Sequence, residues 1–245
     1  MHTLVTGGGS GIGRATALRL SKRSHVSIAD KNGAKARSVA DEIRASGGSA
    51  DAYEVDVLDG DAVRAMVEKA DAAAPLNALF NNAGISVRTE IKDLSGEEWD
   101  MMLDTHARGM FFVAQAVLRK MVPRKKGLIV QTSSDFAVIG IPGMAAYCAA
   151  KGAIYSLTKA LSLEFVQDGI RVNAIGPGPI DTPILASNRT EQEYRDAVAR
   201  NETRVPMGRL GKPEEVAAVV DFLLSERSSY INGQLIHPNG GTVMW

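Results

Sequence analysis

Short β-branched or apolar runs alternate with helical patterns from one end of the chain to the other, and this alternation narrows the fold more than any other feature. Strand-like runs fall at His2–Thr6, His25–Asp30, Ala52–Asp56, Leu76–Phe80, Gly127–Thr132, Ile170–Ile175 and Gln234–His237. Helical patterns lie between them at Gly11–Lys22, Gly33–Ser46, Asp59–Ala72, Gly96–Met121, Met144–Gln167 and Pro213–Leu224. Strands that alternate with helices imply βαβ units and a parallel sheet covered on both faces. The continuous apolar runs Ala78-Leu79-Phe80 and Leu128-Ile129-Val130 suit strands buried on both faces. The expectation is an α/β fold with a doubly wound parallel sheet of seven strands, in a single domain over residues 1–245.

One region breaks the rhythm. Residues 176–206 open with Gly176-Pro177-Gly178-Pro179, turn polar, and hold a short helical pattern at Glu191–Arg200. So long an insertion in a compact domain is usually functional, and it follows the carboxyl end of a strand, where open α/β sheets bind ligands. It is read as a substrate-binding lid.

Lys and Arg total 28 and Asp and Glu total 28, which leaves no basic excess for nucleic acid. The densest basic run, Arg119 to Lys126, lies between a helix and a strand pattern and reads as a solvated loop. Cys148 is the only cysteine, so no internal disulfide forms and a reducing compartment fits. No apolar run approaches the ~18–20 residues of a membrane span, and the chain enters a strand without a leader pattern. The expectation is a cytoplasmic protein with no membrane or nucleic-acid partner. His2, His25 and His237 lie in or beside strands with no close His/Cys cluster, so no metal is expected.

Thr6-Gly7-Gly8-Gly9-Ser10-Gly11-Ile12-Gly13 joins the first strand to the first helix. Glycines there let backbone N–H groups approach a pyrophosphate, and the helix N-terminus favours its charge. Asp30 closes the second strand, where a carboxylate can accept from the ribose hydroxyls of an adenosine. It would repel a 2′-phosphate, so NAD is expected in preference to NADP, although Lys31 and Arg14 are cations nearby.

With these residues in view the chain resembles the short-chain dehydrogenase/reductase (SDR) family along essentially its whole length. Thr6–Gly13 resembles that family's glycine motif, Asp56-Val57 its adenine contact, and Asn81-Asn82-Ala83-Gly84 its fourth-strand motif near the cofactor. Ser134, Tyr147 and Lys151 match its Ser and Tyr-x-x-x-Lys spacing. Asn173 and Pro177-Gly178-Pro179-Ile180-Asp181-Thr182 resemble its stretch beside the nicotinamide, and Gly208–Ala217 with Ile231–Gln234 its C-terminal signature. The resemblance implies a Rossmann-type domain that holds the cofactor through Gly7, Gly9, Ser10, Gly11, Ile12, Gly13, Asp30, Asp56, Val57, Asn82, Ala83, Gly84, Tyr147, Lys151, Pro177, Gly178, Ile180 and Thr182. It also implies a homotetramer formed through the two long helices.

Tyr147 and Lys151 stand at i and i+4 of one helical pattern and share a face. A neighbouring ammonium favours the phenolate, which should draw the Tyr147 pKa down from ~10. Tyr147 is the expected proton donor and acceptor, and Lys151 its activator; by resemblance Lys151 also holds the nicotinamide ribose. Ser134 follows a strand, where its hydroxyl can orient the substrate oxygen; Ser133 competes, and the family spacing selects Ser134. The chain departs from the family at Trp99-Asp100-Met101-Met102-Leu103-Asp104-Thr105-His106, where His106 takes the place of a catalytic Asn. His106 is therefore a further catalytic candidate, in the proton relay or against substrate, with a near-neutral pKa able to shape the pH profile. Phe136 and Arg88 are expected at the substrate, Arg88 as a clamp for an anion.

The reading is NAD-linked oxidation of a secondary alcohol, or the reverse reduction, on a hydroxy acid, polyol, sugar or cyclic alcohol. One alternative is an NADP-dependent 3-oxoacyl-thioester reductase. Another, of a different class, is a catalytically silent cofactor-binding sensor or scaffold.

Overall fold

A computed structural model of the chain describes residues 1–187 and 190–244; residues 188 and 189 of the 176–206 segment, and residue 245, lie outside the described residues. Seven parallel strands are ordered β3-β2-β1-β4-β5-β6-β7: β1 (His2–Thr6), β2 (His25–Asp30), β3 (Ala50–Glu54), β4 (Ala78–Asn81), β5 (Gly127–Thr132), β6 (Ile170–Ile175) and β7 (Leu235–Ile236). The order reverses between β1 and β4, which opens a crevice at their carboxyl ends. This is the expected Rossmann-type doubly wound α/β sheet.

Helices cover both faces. One core lies under α1 (Gly11–Leu20), α2 (Gly33–Ala45) and the C-terminal helix Pro213–Leu223, and includes Val5, Leu20, Ile28, Ile43, Phe80 and Val220. The other lies under α3 (Gly60–Ala73), with Leu4, Val67, Leu79, Val117, Ile129 and Val172. Local chemistry sets the helix starts. Asp59 accepts from the backbone N–H groups of Asp61 and Ala62 at α3, and Ser95 and Glu98 form a capping box at α4 (Gly96–Leu103).

The expected helix over Gly96–Met121 is interrupted. After α4 comes a π-helical turn at Asp104–Arg108, then α5 (Gly109–Met121). The wider turn carries His106 at its centre and buries it. The third strand lies two residues earlier than its sequence pattern. Asp56 has left the sheet to accept from the N–H of Leu58 and to pair with Lys31, which makes it the start of a turn.

Five elements are tied by a buried polar ladder. The Thr6 hydroxyl donates to Asn81 (3.2 Å), and Asn81 donates to the Met110 carbonyl (2.9 Å) and to Gln131 (3.3 Å). Gln131 donates to Thr158 (3.5 Å) on α6 (Ala145–Glu164), and Thr158 to the Ile154 carbonyl. The short helix α7 (Pro183–Ala186) and the longer α8 (Glu191–Arg204) follow β6, and α9 (Pro213–Leu223) precedes β7. Among the described residues no helix is long and apolar enough to cross a membrane.

Candidate active site

The glycine turn joins β1 to α1 at the crevice. A Cβ at Gly13 would overlap the Gly7 carbonyl oxygen, so only glycine lets the turn close this tightly. Ser10 is extended and caps α1 through no side-chain bond, which leaves first-turn N–H groups for an anion. Thr182 reaches the same turn; a Cβ built on Gly11 would lie 3.2 Å from its Cγ2. Asn82 donates to the Thr6 carbonyl (3.3 Å) and accepts from Thr132 (3.2 Å), and the N–H groups of Asn82 and Ala83 both donate to the Thr6 hydroxyl. Pro177 accepts from the N–H of Asp135, and Ile180 bridges to Gly211. The uncapped helix start and the glycine cradle fit a dinucleotide pyrophosphate.

Ser134 ends the run after β5, and α6 presents Tyr147 and Lys151 one turn apart beneath it. The Lys151 ammonium donates to the Thr132 carbonyl (2.8 Å) and lies 5.5 Å from the centre of the Tyr147 ring. Burial lowers the Lys151 pKa to about 7. Burial also pushes the Tyr147 phenol above its ordinary value, against a hydrogen bond from Ser134 and with the Asp135 charge adding to the rise. The i, i+4 spacing of Tyr147 and Lys151 predicts the opposite direction. Desolvation wins because Lys151 spends its hydrogen bond on a backbone carbonyl and is itself a weakened cation.

His106 is 1% exposed and packs edge-on to Tyr147, with ring centres 5.4 Å apart. Its Nε2 lies 2.8 Å from the Ile85 carbonyl oxygen and 3.4 Å from the Ile85 N–H; the shorter contact, to an oxygen that can only accept, assigns the ring proton to Nε2 and leaves Nδ1 an acceptor. Nδ1 is buried without a partner among the described residues. Desolvation and the Lys151 charge hold the His106 pKa well below 6.5, against the Ile85 bond. The expected near-neutral titration is therefore corrected: His106 is a neutral imidazole at physiological pH. Gly84 accommodates it, since a Cβ there would overlap the imidazole.

Arg88 is not brought into this cluster. It is exposed and donates to the Pro142 carbonyl (3.1 Å), tying two loops together. Val57 packs against Gly109. Phe136 does reach the site, 6.3 Å from Tyr147 ring to ring. Two residues escaped the sequence reading. Asp135, 1% exposed, accepts from the Ser134 hydroxyl (3.1 Å) and from Thr242 (2.9 Å), and burial raises its pKa. Its position beside Ser134 was a usable signal. Arg204 stacks on Phe136 at 4.9 Å, a contact between distant residues that no local pattern announces.

A doubly wound sheet, a glycine cradle at its crevice and a Ser/Tyr/Lys cluster at the strands' carboxyl edge define an NAD(P)-dependent oxidoreductase that moves hydride to or from an alcohol or ketone. The family model described as enoyl-(acyl carrier protein) reductase matches residues 7–243. The chain belongs to the short-chain dehydrogenase/reductase family. It is 37% identical over 243 residues to the 3-oxoacyl-[acyl-carrier-protein] reductase FabG of Thermotoga maritima, covering 98% of this chain and 97% of the relative. It is 39% identical over 233 residues to the cyclohexanol dehydrogenase of an Acinetobacter species, covering 94% and 90%. The crystal structure of a short-chain type dehydrogenase/reductase from Mycobacterium marinum superposes with a TM-score of 0.93 at 33% identity, covering 100% of this chain and 96% of that one.

These likenesses favour the 3-oxoacyl-thioester reductase alternative over the secondary-alcohol reading. They also correct the preference for NAD over NADP, because the FabG relatives are NADPH-dependent. The structure shows why Asp30 alone was a poor guide. Its oxygens accept from the N–H groups of Gly9 and Asn32, both at 2.9 Å, and Lys31 and Arg37 line the same hollow. The two amide bonds disperse the Asp30 charge, while Lys31 pairs with Asp56 and Arg37 with Glu54, so that these cations would have to leave their partners to meet a phosphate.

Proposed function

We propose that this chain reduces the 3-keto group of an acyl thioester to the 3-hydroxyacyl thioester. The carrying observation is the likeness along 98% of the chain to 3-oxoacyl-[acyl-carrier-protein] reductases, joined to a buried Tyr147 phenol that is protonated at neutral pH, the form that donates to a carbonyl oxygen. Ser134 orients that oxygen by a second hydrogen bond. For this its hydroxyl turns from Asp135, to which it donates at 3.1 Å. Lys151 acts as the proton leaves, its charge stabilising the phenolate left on Tyr147. The Gly7–Gly13 turn, Asp30, Asn82–Gly84 and the Pro177–Thr182 stretch would hold a nicotinamide dinucleotide, which would supply the hydride. Neutral His106 serves as a fixed acceptor beside Tyr147 and Lys151 in this reading.

The 176–206 segment covers the substrate, a role supported by Arg204 stacking on Phe136 beside Tyr147. The working assembly is a homotetramer in the cytoplasm. It is supported by an apolar groove of about 530 Å³ between α5 and α6, lined by Phe111, Leu118, Leu157, Leu161 and Phe165.

The test is steady-state reduction of an acetoacetyl thioester, run with NADPH and with NADH, beside oxidation of cyclohexanol. Turnover of the thioester at the higher kcat/KM is expected. A second reading, interconversion of a cyclic secondary alcohol and its ketone, is favoured by the likeness to cyclohexanol dehydrogenase. Turnover of cyclohexanol with none of the thioester would establish it instead.

A further inference from the structure

Among the described residues, three buried side-chain polar atoms lack a hydrogen-bond partner: Thr16 Oγ1, His106 Nδ1 and Arg204 Nε. Two of the three belong to the chain of rings around Tyr147. His106 touches the Tyr147 ring directly, and Arg204 reaches it through Phe136. His106 Nδ1 is an acceptor, but Arg204 Nε always carries hydrogen and can only donate.

Arg204 is the last residue of α8, in the segment that follows β6. Its guanidinium carbon lies 4.9 Å from the centre of the Phe136 ring, a cation–π contact that supplies no oxygen acceptor to its N–H groups. One of its terminal nitrogens makes a long bond to Asn201 (3.3 Å). Asp135 is the nearby carboxylate whose charge Arg204 influences, yet the two form no ion pair among the described residues. Both Asp135 oxygens are engaged, by Ser134 and by Thr242. Leaving a buried guanidinium N–H unsatisfied is costly, and a donor set of this shape suits carbonyl and carboxylate oxygens.

We infer that Arg204 is a specificity residue: its Nε–H edge receives a second oxygen of the substrate, a carbonyl or carboxylate oxygen separate from the one that Tyr147 protonates. The inference deepens the proposed thioester reduction, in which that second oxygen is the thioester carbonyl. It applies equally to a 3-oxo acid, whose carboxylate offers the same geometry with a charge. Ketones lacking a second oxygen leave the donor unsatisfied and are the poorer substrates for that reason.

The experiment compares matched substrates on wild type, Arg204→Ala and Arg204→Gln. One pair is a cyclic 1,3-dione against cyclohexanone. The other is an acetoacetyl thioester against a methyl ketone of the same length, with acetoacetate as the charged arm. The readout is the ratio of kcat/KM within a pair, which does not depend on the fraction of enzyme that folds. Arg204→Ala is expected to lower this ratio about 10- to 100-fold, and Arg204→Gln, which retains N–H donors, to restore part of it. A larger fall for acetoacetate than for the thioester identifies a carboxylate as the natural group, and an equal or smaller fall identifies a carbonyl. An unchanged ratio in every pair that wild type turns over overturns the inference. Failure of the thioester alone, with the dione ratio still falling, overturns the thioester reading and leaves Arg204 in its role.

Discussion

The Tyr147 phenol holds its proton because desolvation outweighs every other influence on it. Removing only the hydroxyl, by Tyr147→Phe, takes away the donor and leaves the ring against His106 and Phe136. Turnover should fall by about 10²- to 10⁴-fold, while cofactor affinity, read by fluorescence titration, stays within a few-fold of wild type. Buried His106 makes a prediction of another kind. Its folded-state pKa lies well below 6.5, so as pH falls below 6.5 the unfolded chain takes up a proton that the folded chain refuses. Stability is complete above pH 6.5 and declines as pH drops toward the folded value, with a slope up to about 1.4 kcal/mol per pH unit from this residue. His106→Asn should flatten that acid limb in urea-unfolding midpoints measured from pH 7 to pH 5. His2, also lowered by burial, keeps its own share of the slope. The pH–rate profiles of wild type and His106→Asn should superimpose above pH 6.5, because a neutral imidazole has no proton to lose there.

At the scale of elements the glycine turn is the most demanding. Gly13 faces the Gly7 carbonyl oxygen with no room for a methyl group. Gly13→Ala must push α1 away from the end of β1, at a cost of about 1–3 kcal/mol in stability. The displaced helix start should also weaken dinucleotide binding, with thermal unfolding and cofactor titration reading the two effects separately. This turn was legible in the sequence, as was the pairing of Tyr147 with Lys151, because each depends on spacing along one strand edge or one helix, whereas Ser134 was chosen over Ser133 by family resemblance. The π-turn at Asp104–Arg108 was not legible. The apolar pattern of Gly96–Met121 runs on through it, and the extra residue in the turn answers to packing around His106. The sign of the Tyr147 shift was hidden for a related reason: the i, i+4 spacing places Lys151 beside Tyr147 but cannot show that its ammonium is bound to Thr132. Arg204 and Phe136 meet only when the end of α8 reaches the short helical turn after β5, so their contact has no trace in either segment alone.

For the molecule as a whole, the apolar groove between α5 and α6 is the surface that an assembly would cover. Leu161→Arg places a charge among Phe111, Leu157 and Phe165. Light scattering should then report a smaller species than wild type, with the far-ultraviolet spectrum retained. A wild-type monomer would remove the tetramer from the proposal. The alternation of strands and helices sufficed to predict seven parallel strands in one doubly wound sheet, while their order, β3-β2-β1-β4-β5-β6-β7, came only with the structure. The ladder from Thr6 through Asn81 and Gln131 to Thr158 has its own consequence at this scale. Thr6 also holds the backbone of Asn82 and Ala83 beside the glycine turn, and Thr158 sits about three turns beyond Tyr147 on the same helix. The cofactor cradle and the proton donor thus hang from one rigid crossbeam. Slow amide exchange should cross the sheet as a single band from β1 to α6, and an opening that frees one end should free the other at the same rate.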